Sequence, residues 1–475
     1  LKPGVLIYSI SYLLLIFIVI YFGLPFLNLT SGSFYFTLLL IISLPISWLF
    51  ILKNKQLQNN STEKRFQGFK FESYSGKWVK TYISKERKFA NYKVIIKAIC
   101  LVFIIGLILL GILKLTGAKI FNAKAYANQL EIISETTDNL NKTFDYEEGE
   151  VELPVIDKEL AAKLAQAKLD EYGAQYSIDI DNFTIISVER NGGTELLRVT
   201  PLEYENEFVA LSRMSKGTIG YIEVNVVTQV AKLVKFDESN GLKYMPSGIF
   251  KYDLDRHIRK NYPNVLYNHK YFEIDNDGNP YWIIPVIKYT GVGLRKDISH
   301  VIILNPITGS SKKYKVEDVP TWVDHVYKSN LIIEQVDNWG AYQSGFLNSI
   351  FSQKNVVMTT EGYNYLAMND DIYLYTGVTS VSTDESNLGF ILTNMRTKET
   401  NFYKIPGAEE YSAMASAEGA VQEKKYQATF PLLINLNNKP TYLVSLKDNA
   451  GLVKMYAFVD VVDYQKVVVS EASLG

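Results

Sequence analysis

The arrangement of apolar and polar positions changes character once along the chain. Up to residue 117 the apolar positions run together, as Val5 to Leu29, Phe34 to Leu52 and Val94 to Leu115, and none of these stretches holds an acidic residue. Each is close to the roughly 20 residues a helix needs to cross a hydrocarbon core. The pattern predicts three transmembrane helices at about 5–29, 34–52 and 94–115. Lys97 lies near the start of the third, where its stem can snorkel to the interface. A cleaved leader is the alternative, and Ala125-Tyr126-Ala127 has the small residues of a cleavage site. The apolar core of a leader is only about 7–15 residues long, however.

From residue 118 onward the apolar positions fall into short, periodic groups. Residues 118–156 are acidic without clear periodicity and read as a stalk. Beyond them, Asn/Asp-rich turns lead into aromatic and β-branched strands, as in Asp275–Pro280 before Tyr281–Val286, Met368–Asp371 before Ile372–Tyr375, and Leu436–Pro440 before Thr441–Leu446. Leu196–Thr200, after Asn191–Gly193, reads as a first copy. A second element recurs as strand, turn with Asn and Thr, strand: Tyr221–Val234, His300–Tyr314 and Phe390–Lys404, with Tyr456–Val469 as a looser fourth copy. Helical spacing precedes each set. Asp157 caps the first helix, with Leu160, Leu164 and Ala167 on one face; Phe250, Leu254 and Ile258 mark the second. Pro320–Phe351 holds a third, broken near Gly340, and Glu409–Glu423 a fourth. The units span 157–240, 246–317, 318–406 and 407–470. The fold class is therefore α+β: three N-terminal transmembrane helices followed by tandem helix-plus-antiparallel-sheet units.

Charge sharpens this division. The chain of 475 residues has a net charge of -1, but residues 1–117 carry 14 Lys/Arg against 3 Asp/Glu, and residues 118–475 carry 35 against 47. Loop 53–93 holds most of the excess, and the positive-inside rule places it in the cytoplasm. Residues 118–475 then lie on the extracytoplasmic side of a cell membrane. Lys64, Arg65, Lys70, Lys77, Lys80, Lys85, Arg87 and Lys88 interleave with Phe66, Phe69, Phe71, Tyr74 and Trp78, a composition suited to anionic lipid headgroups. The near-zero total argues against a nucleic-acid partner. A disulfide framework is excluded, because Cys100 is the single cysteine.

The helix-then-hairpins units resemble PepSY and cystatin-like domains. The resemblance is carried by the turn Gly278-Asn279-Pro280, the strand Tyr281–Val286 and the hairpin Val301–Tyr314 with Thr308-Gly309. The whole arrangement also looks like a family of bacterial membrane proteins with such repeats. This resemblance implies a regulator or inhibitor of an envelope peptidase.

A search for chemistry returns little. His257, His269, His300 and His325 lack metal-ligand spacing, so no metal or other cofactor is expected. Asp275-Asn-Asp-Gly-Asn279 begins like a calcium loop but has Pro280 where the EF-hand needs Gly and Val286 where it needs Glu, so it reads as a hairpin turn. Ser61–Lys64 and Ser310–Lys313 match Ser-x-x-Lys without its companion motifs. Tyrosine is abundant, at 33 residues, and supplies contact area with little rotamer loss. Glu361, Tyr363, Tyr365, Tyr373, Tyr375 and Tyr411 are therefore the candidate partner surface, joined by the small-residue helix that follows Tyr411. The expected function is a non-enzymatic envelope protein whose repeat domain binds or scaffolds a protein or cell-wall partner. The alternatives are the peptidase regulator and an enzyme acting on envelope polymers through carboxylates such as Glu361, Asp370 and Asp371.

Overall fold

The computed structural model describes residues 3–31, short pieces between 34 and 112 that include 71–74 and 77–80, then 114–135, 156–171, 175–190, 192–237, 240–290, 295–368, 370–381, 386–437 and 439–472. The chain divides into two compact units, Leu1–Ala118 with Tyr289–Leu294, and Lys119–Lys288 with Arg295–Gly475.

The expected three membrane-crossing helices are not found among the described residues. Among the described residues no single helix is long and apolar enough to cross a membrane. The first apolar stretch shows why. Helix α1 covers Pro3–Gly23 and ends as Leu24 takes a φ of 38° just before Pro25. A proline disfavours helical geometry in the residue ahead of it and has no N–H to continue the ladder. The helix therefore stops short of Leu29 while the apolar run goes on. The expected span of 5–29 is thereby cut at Gly23. In the third stretch the helix Phe103–Thr116 stops before Gly117, and the second stretch lies largely outside the described residues. The first unit also contains a hairpin of β1 (Phe71–Tyr74) and β2 (Lys77–Lys80).

The second unit is an α/β body with repeated helix-plus-sheet content. It opens with α2 (Lys119–Ala127) and β3 (Ile133–Glu135). Helix α3 (Lys158–Asp170) follows, started by Asp157, whose Oδ1 accepts the Leu160 N–H at 2.9 Å. It packs on a sheet of β4 (Tyr176–Ile178), β5 (Thr184–Arg190), β6 (Gly193–Tyr204), β7 (Gly220–Asn225) and β8 (Ala231–Lys235), ordered β4-β6-β7-β8 with β5 also on β6. Helix α4 (Leu254–Asn261), anchored by buried Leu254 and Ile258, leads into a second sheet ordered β12-β11-β10-β9. Its strands are β9 (Tyr271–Ile274), β10 (Pro280–Thr290), β11 (Arg295–Leu304) and β12 (Ser311–Lys315).

Helix α5 (Ser329–Tyr342) precedes the third sheet, made of β13 (Val357–Thr359), β14 (Asn364–Met368), β15 (Asp371–Ser380), β16 (Ser386–Asn394), β17 (Thr400–Tyr403) and β18 (Gly407–Ala408). The expected break near Gly340 falls a few residues later: the helix runs through Gly340 to Tyr342, the chain turns at Gly345 with a φ of 89°, and a π-helical turn follows at Asn348–Ser352. A Cβ on Gly340 would lie 2.1 Å from the Val357 carbonyl oxygen, so glycine is needed to let β13 pass close to the helix. Two elements from far upstream join this group: α2 packs on α5, and β3 pairs in parallel with β17. The fourth group is α6 (Glu410–Ala420) with β19 (Gln427–Ala428), β20 (Leu432–Leu436), β21 (Lys439–Lys447), β22 (Val453–Asp460) and β23 (Val467–Glu471). The small face of α6, Ala413 and Ala417, is fully buried on this sheet, so close backbone approach is used within the fold.

The repeat has a local physical basis in the last hairpin of each group. Asn225 Oδ1 accepts the Val227 and Thr228 N–H groups, Asn305 Oδ1 those of Ile307 and Thr308, and Asn394 Oδ1 those of Arg396 and Thr397. Asp460 plays the part in the fourth copy, holding Val462 and Asp463. In the first three, the residue four positions on (Gln229, Gly309, Lys398) has φ of 62°, 75° and 70° and donates back to the Asx carbonyl. An Asx side chain that satisfies two turn N–H groups nucleates the reversal locally. The fourth turn is longer by one residue, closing on Lys466, which is why its sequence likeness is looser.

Packing is continuous across the groups. One apolar core joins the first three sheets and α3, and a second lies between the third and fourth sheets. Trp282 is the largest fully buried side chain among the described residues and donates its indole N–H to the Tyr244 carbonyl at 2.9 Å.

Candidate functional site

Where the four sheets of the second unit converge, they leave a cleft of about 850 Å³. This is the size of a typical small-ligand pocket. Its walls come from distant parts of the chain: the start of α3, strands β5 and β6, the lead-in to β9, the residues before α5, the start of β14 and strands β19 to β21.

One wall is a chain of rings. His269 stacks edge-on to Tyr271 at 4.4 Å, Tyr271 lies 5.0 Å from His325, His325 meets Tyr365 at 5.8 Å, and Tyr365 meets Tyr363 at 5.7 Å. His325 is fixed from behind by buried Glu273, which accepts its backbone N–H at 3.0 Å, its Nδ1–H at 3.2 Å and the Asp324 N–H at 2.9 Å. Asp324, also buried, takes the Ser187 N–H at 2.7 Å. Burial, reinforced by the Glu273 charge, holds the Asp324 carboxyl well above its ordinary range. Tyr365 is further positioned by a hydrogen bond with Ser329 at the first position of α5.

The other wall is cationic. Lys158, Arg198, Lys328 and Lys447 line the cleft, opposed by Asp157, Glu159 and Asp181. Lys447 is taken by Asp157, the cap of α3. Arg198 sits on β6 between fully buried Leu197 and Val199, is 8% exposed, and donates one guanidinium N–H to the Phe183 carbonyl at 3.3 Å. Burial lowers its pKa to about 10. Burial lowers that of His269 to about 4, and the charges of Lys328 and Lys158 push the same way, so its ring is neutral at pH 7.

The structure separates the residues singled out from the sequence. Tyr363 and Tyr365 reach the cleft. The register pairs Leu366 with Tyr373 and Asn364 with Tyr375, which places those two tyrosines on the opposite face of the third sheet. Tyr375 is fully buried there and donates to the Pro431 carbonyl, and Tyr373 is half-buried. Tyr411 is exposed beside Phe430, and Glu361 is exposed. The six do not form one surface. Asp371 is engaged by Arg396 through two hydrogen bonds, at 2.7 and 2.6 Å, and by Asn394 at 2.8 Å, while Asp370 accepts from Thr194. Asp275 Oδ1 accepts the Asp277 and Asn279 N–H groups within the hairpin turn between β9 and β10. Among the described residues no group of three or more His, Cys, Asp or Glu is arranged to hold a metal ion. His257 is a packing residue, with Nε2 donating to the Gly309 carbonyl at 2.8 Å. Of the basic residues assigned to headgroups, Lys77 and Lys80 lie on β2. Lys64, Arg65, Lys70, Lys85, Arg87 and Lys88 lie outside the described residues.

Sequence reasoning passed over Arg198, Lys328, His269 and His325 as site residues. The one available signal was a charge, Arg198, set inside the apolar run Leu196–Val199. No protein-family model matches the chain, and no curated protein matches it.

Proposed function

We propose that the second unit is a non-enzymatic binding module and that its cleft receives a small ligand or the tip of a larger envelope partner. One observation carries the reading: a cleft of about 850 Å³ at the junction of all four sheets, walled by rings and cations. A ring wall offers rigid contact area at low entropic cost, and such positions are where binding energy concentrates. The carboxylates considered for acid–base work, Asp370 and Asp371, are held by Thr194 and by Arg396 with Asn394. Control of a peptidase is one form this binding can take, and addition of the full chain to a co-expressed peptidase tests that form.

The test of the reading is a photo-crosslinking amino acid placed at Tyr363, with the exposed Leu452 position as control. Reproducible adducts from position 363 that are missing from 452 support the cleft as the binding site. Equal adducts from both, or none from 363, overturn it.

A further inference from the structure

We infer that the cationic wall of the cleft is an anion subsite, in which Arg198, Lys328 and the first turn of α5 take a carboxylate or phosphate group of the ligand. This rests on the binding reading above and adds the chemistry of the ligand.

The first observation is the state of Arg198. Five other partly buried cations each hold a carboxylate: Arg190 with Glu223, Lys270 with Asp255, Arg396 with Asp371, Lys398 with Asp297 and Lys447 with Asp157. Arg198 is buried yet has no ion pair among the described residues, and its Nε has no hydrogen-bond partner. A buried charge is costly unless paired, and a guanidinium fork matches carboxylate and phosphate geometry. Among the described residues the fold has spent that cost without a direct ion pair, on the wall of a cleft large enough for a ligand.

The second observation is independent. Helix α5 begins at the same cleft, with Lys328 at the cap position and Ser329 at the first helical position both on its wall. The Lys328 side chain makes no capping bond. An uncapped helix start presents free N–H groups and the positive end of the helix dipole. By contrast, α3 opens on the same cleft with its start occupied by Asp157, so only α5 is left to receive a ligand anion. The carboxylates in the lining offset the charge of Arg198 only in part: Asp157 acts on it through space but is bound to Lys447, and Glu159 and Asp181 are exposed. Burial is the main cause of the lowered pKa of His269, and the charges of Lys328 and Lys158 push it the same way.

The experiment uses the full chain with its histidines labelled for NMR, and calorimetry. The probes are orthophosphate, glycerol 3-phosphate and N-acetylglycine, with glycerol and N-acetylglycinamide as their neutral counterparts. The expected result is that at least one anion binds, raises the titration point of His269, and loses roughly tenfold in affinity in Lys328→Gln and in Arg198→Gln, as expected for loss of one charge-assisted contact of about 1.4 kcal/mol. Lys328 is half-exposed, so its variant keeps the test informative if Arg198→Gln fails to fold. Preference between phosphate and carboxylate probes identifies the ligand group. Neutral probes binding as well as anions, an unmoved His269, or unchanged affinity in Lys328→Gln overturns the anion subsite. The cleft reading survives any of these if position 363 still crosslinks, and falls separately if it does not.

Discussion

Glu410 offers the most direct check on the energetics of this fold. It is the first residue of α6 and has no exposed surface. Thr360 Oγ1 and Asn387 Nδ2 lie beside it, and all three groups converge on Gly377. A Cβ there would lie 2.6 Å from Glu410 Oε1, 2.7 Å from Asn387 Nδ2 and 2.8 Å from Thr360 Oγ1. Burial pushes the Glu410 carboxyl up to about 7 from 4.5. At about 1.4 kcal/mol per pKa unit, a shift of that size corresponds to about 3 kcal/mol. The sign follows from the direction. A carboxyl whose folded pKa is raised stabilises the fold in full below about pH 4.5. It loses that contribution as pH rises toward 7, because the unfolded chain releases the proton first. Glu410→Gln keeps the shape and removes the charge. Urea midpoints at pH 5 and pH 8 should therefore be nearly equal for the variant over this term, while the wild type falls on going to pH 8. The variant should be the more stable protein at pH 8, by up to about 3 kcal/mol. Glu203, buried and also pushed up to about 7, adds a parallel slope that Glu410→Gln leaves intact and Glu203→Gln removes. Equal loss of stability in wild type and both variants between the two pH values would refute the reasoning.

Three further outcomes are expected. Asn305→Ala removes two side-chain bonds to turn N–H groups, at 2.9 and 3.0 Å, and should cost about 1–2 kcal/mol in urea unfolding; Asn225→Ala and Asn394→Ala should cost similar amounts if the turns are equivalent. Gly340→Ala forces a methyl against the Val357 carbonyl and should lower stability by about 1–3 kcal/mol or more despite the better helix propensity of alanine; a rise in Tm would contradict the close approach. Arg198→Met removes an unpaired buried cation and should leave the unliganded protein at least as stable as the wild type, as measured by thermal unfolding at pH 7. A loss beyond about 1 kcal/mol would assign Arg198 a structural task.

The organisation into helix-plus-hairpin groups was legible in the chain because its causes are local. Asp157 starts α3 through a bond to a residue three positions away, and Asn225, Asn305 and Asn394 build their turns from N–H groups two and three positions on. Tyrosine content was legible too, but not its use. Alternation along β14 and β15 divides Tyr363 and Tyr365 from Tyr373 and Tyr375, and register across the sheet is a tertiary property. Reading the first apolar stretch by composition overestimated the length of its helix, since where a helix ends depends on backbone stops such as Leu24-Pro25.

By itself, then, the sequence determined the repeated alternation of helix and antiparallel hairpin, the identity of the turns, and the division of charge between residues 1–117 and the rest. Only the tertiary structure decided that α2 and β3 return to α5 and β17, and that residues as far apart as Lys158, Arg198, His269, Lys328, Tyr363 and Phe430 line one cleft. The physical reason is range. Capping and Asx turns act over two to four residues and leave a mark in the local pattern. The cleft arises from how buried sheet faces pack on one another, and that packing brings together residues that no periodicity links.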